Sequence, residues 1–438
     1  MFSTFKNAWR IPDLRKKILF TLMIIICFRF GSVIPIPFLD TAQLAATMQG
    51  LSEQGSALGY INMLTGENFS RATLFALGIQ PYINSSIIMQ LLQVAIPPLE
   101  RLAKEGEEGR KKIAAITRYV TVGLGLIMAV AYYIFLRNSN ALMYTAGFEG
   151  IFSMIVIILA FTAGTALIMW MGEQINDKGI GNGISIILFA GIVARLPVTF
   201  GNVWNYFSTA LEDPTNFGKY FIFAPLFIIL FLAVVWVIVF MNEAERRIPV
   251  QYAKKVVGRK MYGGQSSHLP IKVAMSGVMP VIFASSILSI PSIIQMFVTV
   301  TPGSFWEGFF NAFASTGWLY SVLYFLLILM FAYFYMSVQY NPLEMANNLR
   351  QSNGTIPGIR PGRPTADFIK KILSKITLIG ALFLAAIAIV PIVYCNVTDM
   401  AALSIGGTSI IIIVGVALET VKQLESQMMM RHYKGFLD

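Results

Sequence analysis

Long apolar runs alternate with short charged segments along the whole chain. Runs that reach or approach the roughly 20 residues a membrane-crossing helix needs lie at 18–37, 72–97, 119–136, 151–172, 184–196, 220–241, 271–298, 319–338, 376–397 and 401–418. The fifth is short. The stretch 57–97 stands apart. Its first half, Leu58 to Asn68, holds one brief apolar turn, interrupted by Asn62 and closed by Gly66, far too short to span. Its second half, Ala72 to Pro97, is long enough, with Asn68 or Ser70 available as N-cap and Pro97-Pro98 as its stop. A non-spanning segment leading into a spanning one belongs inside protein or along a cavity, because lipid cannot satisfy irregular backbone.

Composition turns this pattern into a class. With 438 residues, 56% hydrophobic and 13% charged, the chain is expected to be an all-α polytopic membrane protein with ten transmembrane helices. Basic residues sort by loop: of the 33 Lys and Arg, only Arg29, Arg71, Arg137, Arg195, Lys219 and Lys272, the last at the very start of the seventh run, fall outside the tails and the segments that follow alternate runs. The positive-inside rule then puts both termini, and most of the +11 charge, in the cytoplasm. Arg29 is expected to snorkel from the outer end of the first run to the headgroups. Cys27 and Cys395 lie within apolar runs as packing residues, and His268 and His432 stand alone without a metal-ligating cluster. The first run is too long for a signal-peptide core and is read as retained.

The runs divide five and five about an outside linker. Residues 1–17 read as an amphipathic cytoplasmic N-tail, 18–196 as one half, 197–219 as the linker, 220–419 as the second half and 420–438 as a cytoplasmic C-tail. Odd-numbered halves, if related, must be inverted. A local repeat relates them: Gly78-Ile79-Gln80-Pro81-Tyr82-Ile83 in the second run resembles Gly277-Val278-Met279-Pro280-Val281-Ile282 in the seventh, each followed by a Ser-Ser pair. Proline removes an intrahelical hydrogen bond and glycine admits close backbone approach, so both helices are expected to be interrupted.

No catalytic constellation presents itself. There is no Walker loop, no paired intramembrane carboxylates and no nucleophile elbow, and the runs are almost free of titratable groups. Gly179-Ile180-Gly181-Asn182-Gly183 follows no strand and reads as a packed turn rather than a phosphate loop. Two cytoplasmic loops are long and basic. The first, 242–270, has an alternating pattern that suggests a protruding hairpin; the second, 341–375, contains Ile356-Pro357-Gly358-Ile359-Arg360-Pro361-Gly362. Basic protrusions suit acidic proteins or RNA phosphates.

The segments Phe28-Arg29-Phe30-Gly31 with Ile34-Pro35-Ile36-Pro37, Phe75-Ala76-Leu77-Gly78-Ile79-Gln80-Pro81-Tyr82-Ile83, Gly172-Glu173-Gln174-Ile175 leading to Gly181-Asn182-Gly183-Ile184-Ser185-Ile186, and Pro357-Gly358-Ile359-Arg360-Pro361-Gly362 resemble the bacterial SecY family from first run to last. That resemblance implies the channel subunit of the Sec protein translocon in the bacterial inner membrane, with two inverted halves, a central hourglass pore and an external hinge over 197–219. It implies a pore ring of Ile79, Ile83, Ile184, Leu188, Ile282 and Ile412, in which Leu188 replaces the usual isoleucine. It implies a plug over 57–71, containing Leu58, Tyr60, Ile61, Asn62, Met63 and Leu64, and a lateral gate with Gln90, Ser285 and Ser286 on its seam, closed by a few hydrogen bonds. Arg246, Arg247, Arg259, Lys260 and Arg360 match docking positions for the SecA ATPase or a translating ribosome. SecE and SecG are the implied membrane partners, signal sequences and unfolded preproteins the implied cargo; no enzyme site, cofactor or metal is implied. A secondary transporter of small neutral solutes also uses inverted halves and broken helices, but its site needs compact polar groups where these runs supply isoleucine. An intramembrane enzyme would need catalytic groups not found here.

Overall fold

The computed structural model describes residues 2–53, 62, 65–212, 217–252, 255–257, 260–262, 266–274, 277–297, 305–313, 317–398 and 407–434. Apolar runs become helices along most of that length. Eight helices among the described residues are long and apolar enough to cross a membrane: Glu107–Asn138, Gly147–Lys178, Gly183–Leu211, Tyr220–Glu243, Met279–Phe297, Leu319–Gln351, Arg363–Cys395 and Gly407–Met429. The first and second expected spans fall short of that standard. The Pro12–Gly31 helix carries Arg15, Lys16, Lys17 and Arg29, and the Gln80–Ala95 helix has only 16 residues.

The second run is therefore not one helix from Ala72 with an Asn68 or Ser70 cap. Residues 72–79 form turns, and the helix starts at Gln80 with Ile79 as N-cap. Two local causes set this start. Gly78 adopts a left-handed φ of 57°, and Pro81, near the N-terminus, has no amide to bond backwards. The non-helical backbone finds partners in the preceding loop: the Leu74 amide donates to the Ile34 carbonyl at 3.0 Å and the Ile36 amide to the Ala72 carbonyl at 3.1 Å. At the other end, Ile96 is extended ahead of Pro97, which stops this helix and begins the next, Pro97–Lys104.

The seventh run is shorter than its apolar residues suggest. Ile271 lies in a β-strand rather than at the head of a helix, and the helix begins at Met279. It breaks at Ser289, before Pro291, into Met279–Leu288 and Ile290–Phe297. The Gln80–Ala95 and Met279–Leu288 helices pack against each other, the first also against Glu107–Asn138 and the second against Trp318–Gln339.

The described residues of both long basic loops form strands, helices and turns. Strand Glu245–Tyr252 pairs antiparallel with Ser266–Lys272, from Glu245 opposite Lys272 to Gln251 opposite Ser266, which is the expected hairpin. At its tip Lys255–Val257 pairs with Lys260–Tyr262. Gly354–Thr355, from the second loop, adds to the other edge of Glu245–Tyr252, so the two loops form one module. Ile248, Val250, Ile271, Leu349, Ile356 and Ile369 give it a core of its own. Much of the second loop is helical, as Pro342–Gln351 and the start of Arg363–Thr398.

Three boundaries are corrected. The described residues of the linker 197–219 are helical: they belong to Leu196–Glu212 and to the start of Phe217–Glu243, whose aromatic and aliphatic residues repeat with a helical period. The N-tail is broken at extended Ile11, ahead of Pro12, into Phe2–Arg10 and the first residues of Pro12–Gly31. It packs on protein, with Ala8, Leu14 and Ile18 meeting Ile180 and Leu424, rather than only on a membrane surface. The C-tail continues the helix Gly407–Lys434.

Candidate functional site

The site is built around Gly183–Val193 and the two interrupted helices. Asn182 caps Gly183–Val193: its side-chain oxygen accepts from the amides of Ile184 at 3.1 Å and Ser185 at 3.4 Å, and Asn176 accepts from Gly183 at 2.8 Å. The glycine-rich segment is thus a capped turn. The helix it starts carries two of the six aliphatic residues matched to a ring. Ile79, Ile83, Leu188, Ile282 and Ile412 are buried members of the main hydrophobic core, and Ile184 is half-buried against it. They come from four separate helices and one N-cap, spread over both halves of the sequence.

Below the Gln80–Ala95 helix in sequence, residues 65–71 are tied down from several directions. Tyr132, fully buried, donates its hydroxyl to the Phe69 carbonyl, and the Phe69 and Tyr132 rings lie 4.4 Å apart. Asn68 donates to Ser32 at 3.2 Å. Asn62, buried, accepts the Ser70 amide on its side chain at 2.9 Å and the Glu67 amide on its carbonyl at 2.9 Å. Gly66 meets the helix Gly183–Val193 so closely that a Cβ there would stand 2.6 Å from the Gly191 carbonyl oxygen. Leu58, Tyr60, Ile61, Met63 and Leu64 lie outside the described residues.

The residues matched to a gate seam are arranged differently from expectation. Gln90 donates to Ser86 at 3.3 Å and Ser285 to the Ile282 carbonyl at 2.9 Å, each within its own helix. Ser286 is buried, and its carbonyl accepts from Ser289 at 2.7 Å. Among the described residues neither Gln90 nor Ser285 bonds across the contact between the two helices; a turn-spaced partner within its own helix takes up each side chain. Both helices also bury aliphatic residues in the main core, Ile83 and Ile87 on one and Val281 and Ile282 on the other.

Arg246, Arg247 and Arg360 are exposed on the sheet module, with Arg247 bonded to Glu245 at 2.7 Å. Arg360 sits between Gly358 and Gly362, both left-handed, in a turn closed by Thr365, whose hydroxyl donates to the Arg360 carbonyl at 2.8 Å. Lys260 belongs to the short tip strand, and Arg259 lies outside the described residues.

Three charged contacts were not anticipated from sequence. Arg29 does not simply snorkel: it donates to the Ala190 carbonyl near the C-terminus of Gly183–Val193, where the helix dipole favours a cation, and its guanidinium stands 5.5 Å from the centre of the Phe28 ring. Arg118 bonds Glu173 at 2.7 Å, joining Glu107–Asn138 to Gly147–Lys178. Glu67 lies 3.2 Å from Arg71 and 3.9 Å from Arg195. The one sequence signal for these was a charge at the edge of an apolar run. Cys27 is exposed and Cys395 buried, both free.

Known proteins resemble this chain in sequence and in fold. The SecY family model matches residues 73–421. Proteins named protein translocase subunit SecY are similar over the whole of both chains: 43% identical in Streptomyces coelicolor, 43% in Halalkalibacterium halodurans and 41% in Mycobacterium tuberculosis. Among solved structures, one described as a protein conducting channel aligns at a TM-score of 0.65 and 17% identity, covering 94% of this chain and 92% of that one. A SecY structure described for a plug domain that stabilises its closed state aligns at 0.65 and 18%, and canine Sec61 in a ribosome-channel complex at 0.60 and 15%, with the same coverage. At such identities the structures speak for the fold; the full-length relatives and the family match carry the assignment, and the chain belongs to the SecY family.

Proposed function

We propose that the chain is the channel-forming subunit of a bacterial protein translocon, a passive pore that passes unfolded secretory polypeptides across the cytoplasmic membrane and releases hydrophobic segments sideways into lipid. One observation carries this reading. Two interrupted helices, opening on matching glycine-proline elements at Gly78–Pro81 and Gly277–Pro280, present isoleucines at their starts in a chain 43% identical end to end to a translocase subunit.

In this reading Ile79, Ile83, Ile184, Leu188, Ile282 and Ile412 form the constriction. A narrow aliphatic ring dewets and stops ions, yet it closes around a passing chain without binding any one side chain. Residues 57–71 form the plug, anchored through 65–71. The lateral gate is the seam between Gln80–Ala95 and Met279–Leu288. With Gln90 and Ser285 satisfied inside their own helices, the seam is held by apolar packing, which a hydrophobic signal sequence can replace at little cost. The need for a pore is plain, since one charged residue at the bilayer centre costs about 2.5 to 3.5 kcal/mol.

Driving force comes from outside the chain. The exposed arginines of the sheet module, Arg246, Arg247 and Arg360, with Lys260 on the tip strand and Arg259 before it in sequence, face the cytoplasm together with both termini and dock SecA or a ribosome. Related channels have been described on ribosomes, canine Sec61 and yeast Ssh1 among them. SecE and SecG complete the membrane complex.

The test is reconstitution with SecE and SecG in proteoliposomes. Adding SecA, ATP and a secretory precursor is expected to yield protease-protected precursor that disappears when this chain is omitted. Protection that does not depend on the chain would contradict the proposal.

A further inference from the structure

Glu67 occupies an unusual position. It follows Gly66, whose backbone abuts the Gly191 carbonyl of Gly183–Val193, and it takes a left-handed φ of 69° that a glutamate rarely adopts. This places its carboxylate between two guanidiniums, 3.2 Å from Arg71 and 3.9 Å from Arg195. The two pairs are not equivalent. The Arg71 side chain is 66% exposed and Arg195 only 25%, with Glu67 at 24%. Exposed pairs contribute little in water, whereas removing one partner of a partly desolvated pair strands the other.

Arg195 is also poorly compensated by anything else. Its Nη1 is buried and has no hydrogen-bond partner among the described residues. It stands in the turn between Gly183–Val193, which carries Ile184 and Leu188, and Leu196–Glu212, which leads into the second half. Arg29 already holds the same helix end through the Ala190 carbonyl. Glu67 therefore connects the root of the 57–71 segment to the element that carries the constriction and to the connection between the halves.

We propose that Glu67 and Arg195 form an electrostatic latch that keeps the root of the plug seated against Gly183–Val193, so that opening the channel requires this pair to separate. Neither residue touches cargo; both act by positioning the seal. The proposal rests on the channel reading above and on the assignment of 57–71 as its plug. It implies that resting closure is sensitive to ionic strength, because salt screens a pair that remains about a quarter exposed.

The experiment measures anion leak from proteoliposomes that contain the full chain with SecE and SecG and no cargo. Glu67→Gln is expected to raise leak by about three- to tenfold over the unaltered chain in roughly 50 mM salt, and the ratio is expected to fall toward one in roughly 500 mM salt, where the Debye length has shrunk severalfold. The double reversal Glu67→Arg with Arg195→Glu is expected to recover at least half of the low-salt effect, which a variant that merely misfolds would not do. A low-salt leak unchanged in Glu67→Gln, or a ratio that does not depend on salt, would overturn the latch. Deleting 57–66 in parallel separates the two claims: a leaky deletion beside a tight Glu67→Gln rejects the latch alone, and a tight deletion rejects the plug assignment on which it rests.

Discussion

Gly78 and Gly277 stand in one backbone state, at φ 57° and 58°, each three residues before the proline that opens a buried helix. The agreement extends along the chain. Ile79 and Val278 are N-caps with similar angles, and their carbonyls accept from Ile83 and Ile282 at 3.1 and 3.2 Å. The short sequence repeat between the halves is therefore a structural repeat, and it places Ile83 and Ile282 in equivalent positions.

The two glycines differ in their surroundings, and alanine should reveal it. A left-handed L-residue costs about 1–2 kcal/mol at either site. At Gly78 the added Cβ would also stand 3.0 Å from Thr65 Cγ2, while at Gly277 no described atom lies within 4 Å. Thermal unfolding in detergent is expected to show Gly78→Ala as the more destabilised variant; the reverse order would contradict this packing.

Asn182 sets the start of the helix that carries Ile184 and Leu188. Asn182→Ala should cost about 1 kcal/mol of helix stability, because two amides lose their side-chain acceptor. Hydrogen exchange at Ile184 and Ser185 should accelerate in Asn182→Ala and stay near the unaltered rate in Asn182→Asp, which keeps the acceptor. Equal protection in all three would show the cap to be dispensable.

Arg360 is exposed and held in its turn by backbone contacts, not by its own side chain. Arg360→Glu should therefore leave the fold and copurification of SecE intact while lowering SecA-driven translocation by about tenfold, the cost of losing one charge-assisted contact of about 1.4 kcal/mol. Undiminished transport would remove Arg360 from the docking surface.

Much of this architecture is legible in the residues, and the exceptions have physical causes. Hydropathy locates the apolar runs but not where the second run becomes helix, since Ala72 to Leu77 are apolar but for Thr73 and the start is decided by one left-handed glycine and one proline. The alternating pattern gave the hairpin, whereas its third strand, Gly354–Thr355, is too short to carry a pattern at all. A segment that joins two halves suggests a connecting loop, although Leu196–Glu212 is helical. The polar residues on the matched seam could be named, but not that Gln90 and Ser285 bond within their own helices. Glu67 and Arg195 are far apart in sequence, and only the close packing of Gly66 on Gly191 brings their charges together.

The central claim is that a polypeptide passes between the two repeated elements, and it is tested most directly by site-specific photocrosslinking. A photoreactive side chain at Ile83 or Ile282 is expected to crosslink to a secretory chain stalled in transit, from both positions, and not to crosslink without SecA and ATP. An actively translocating preparation that gives no adducts from either position would contradict it.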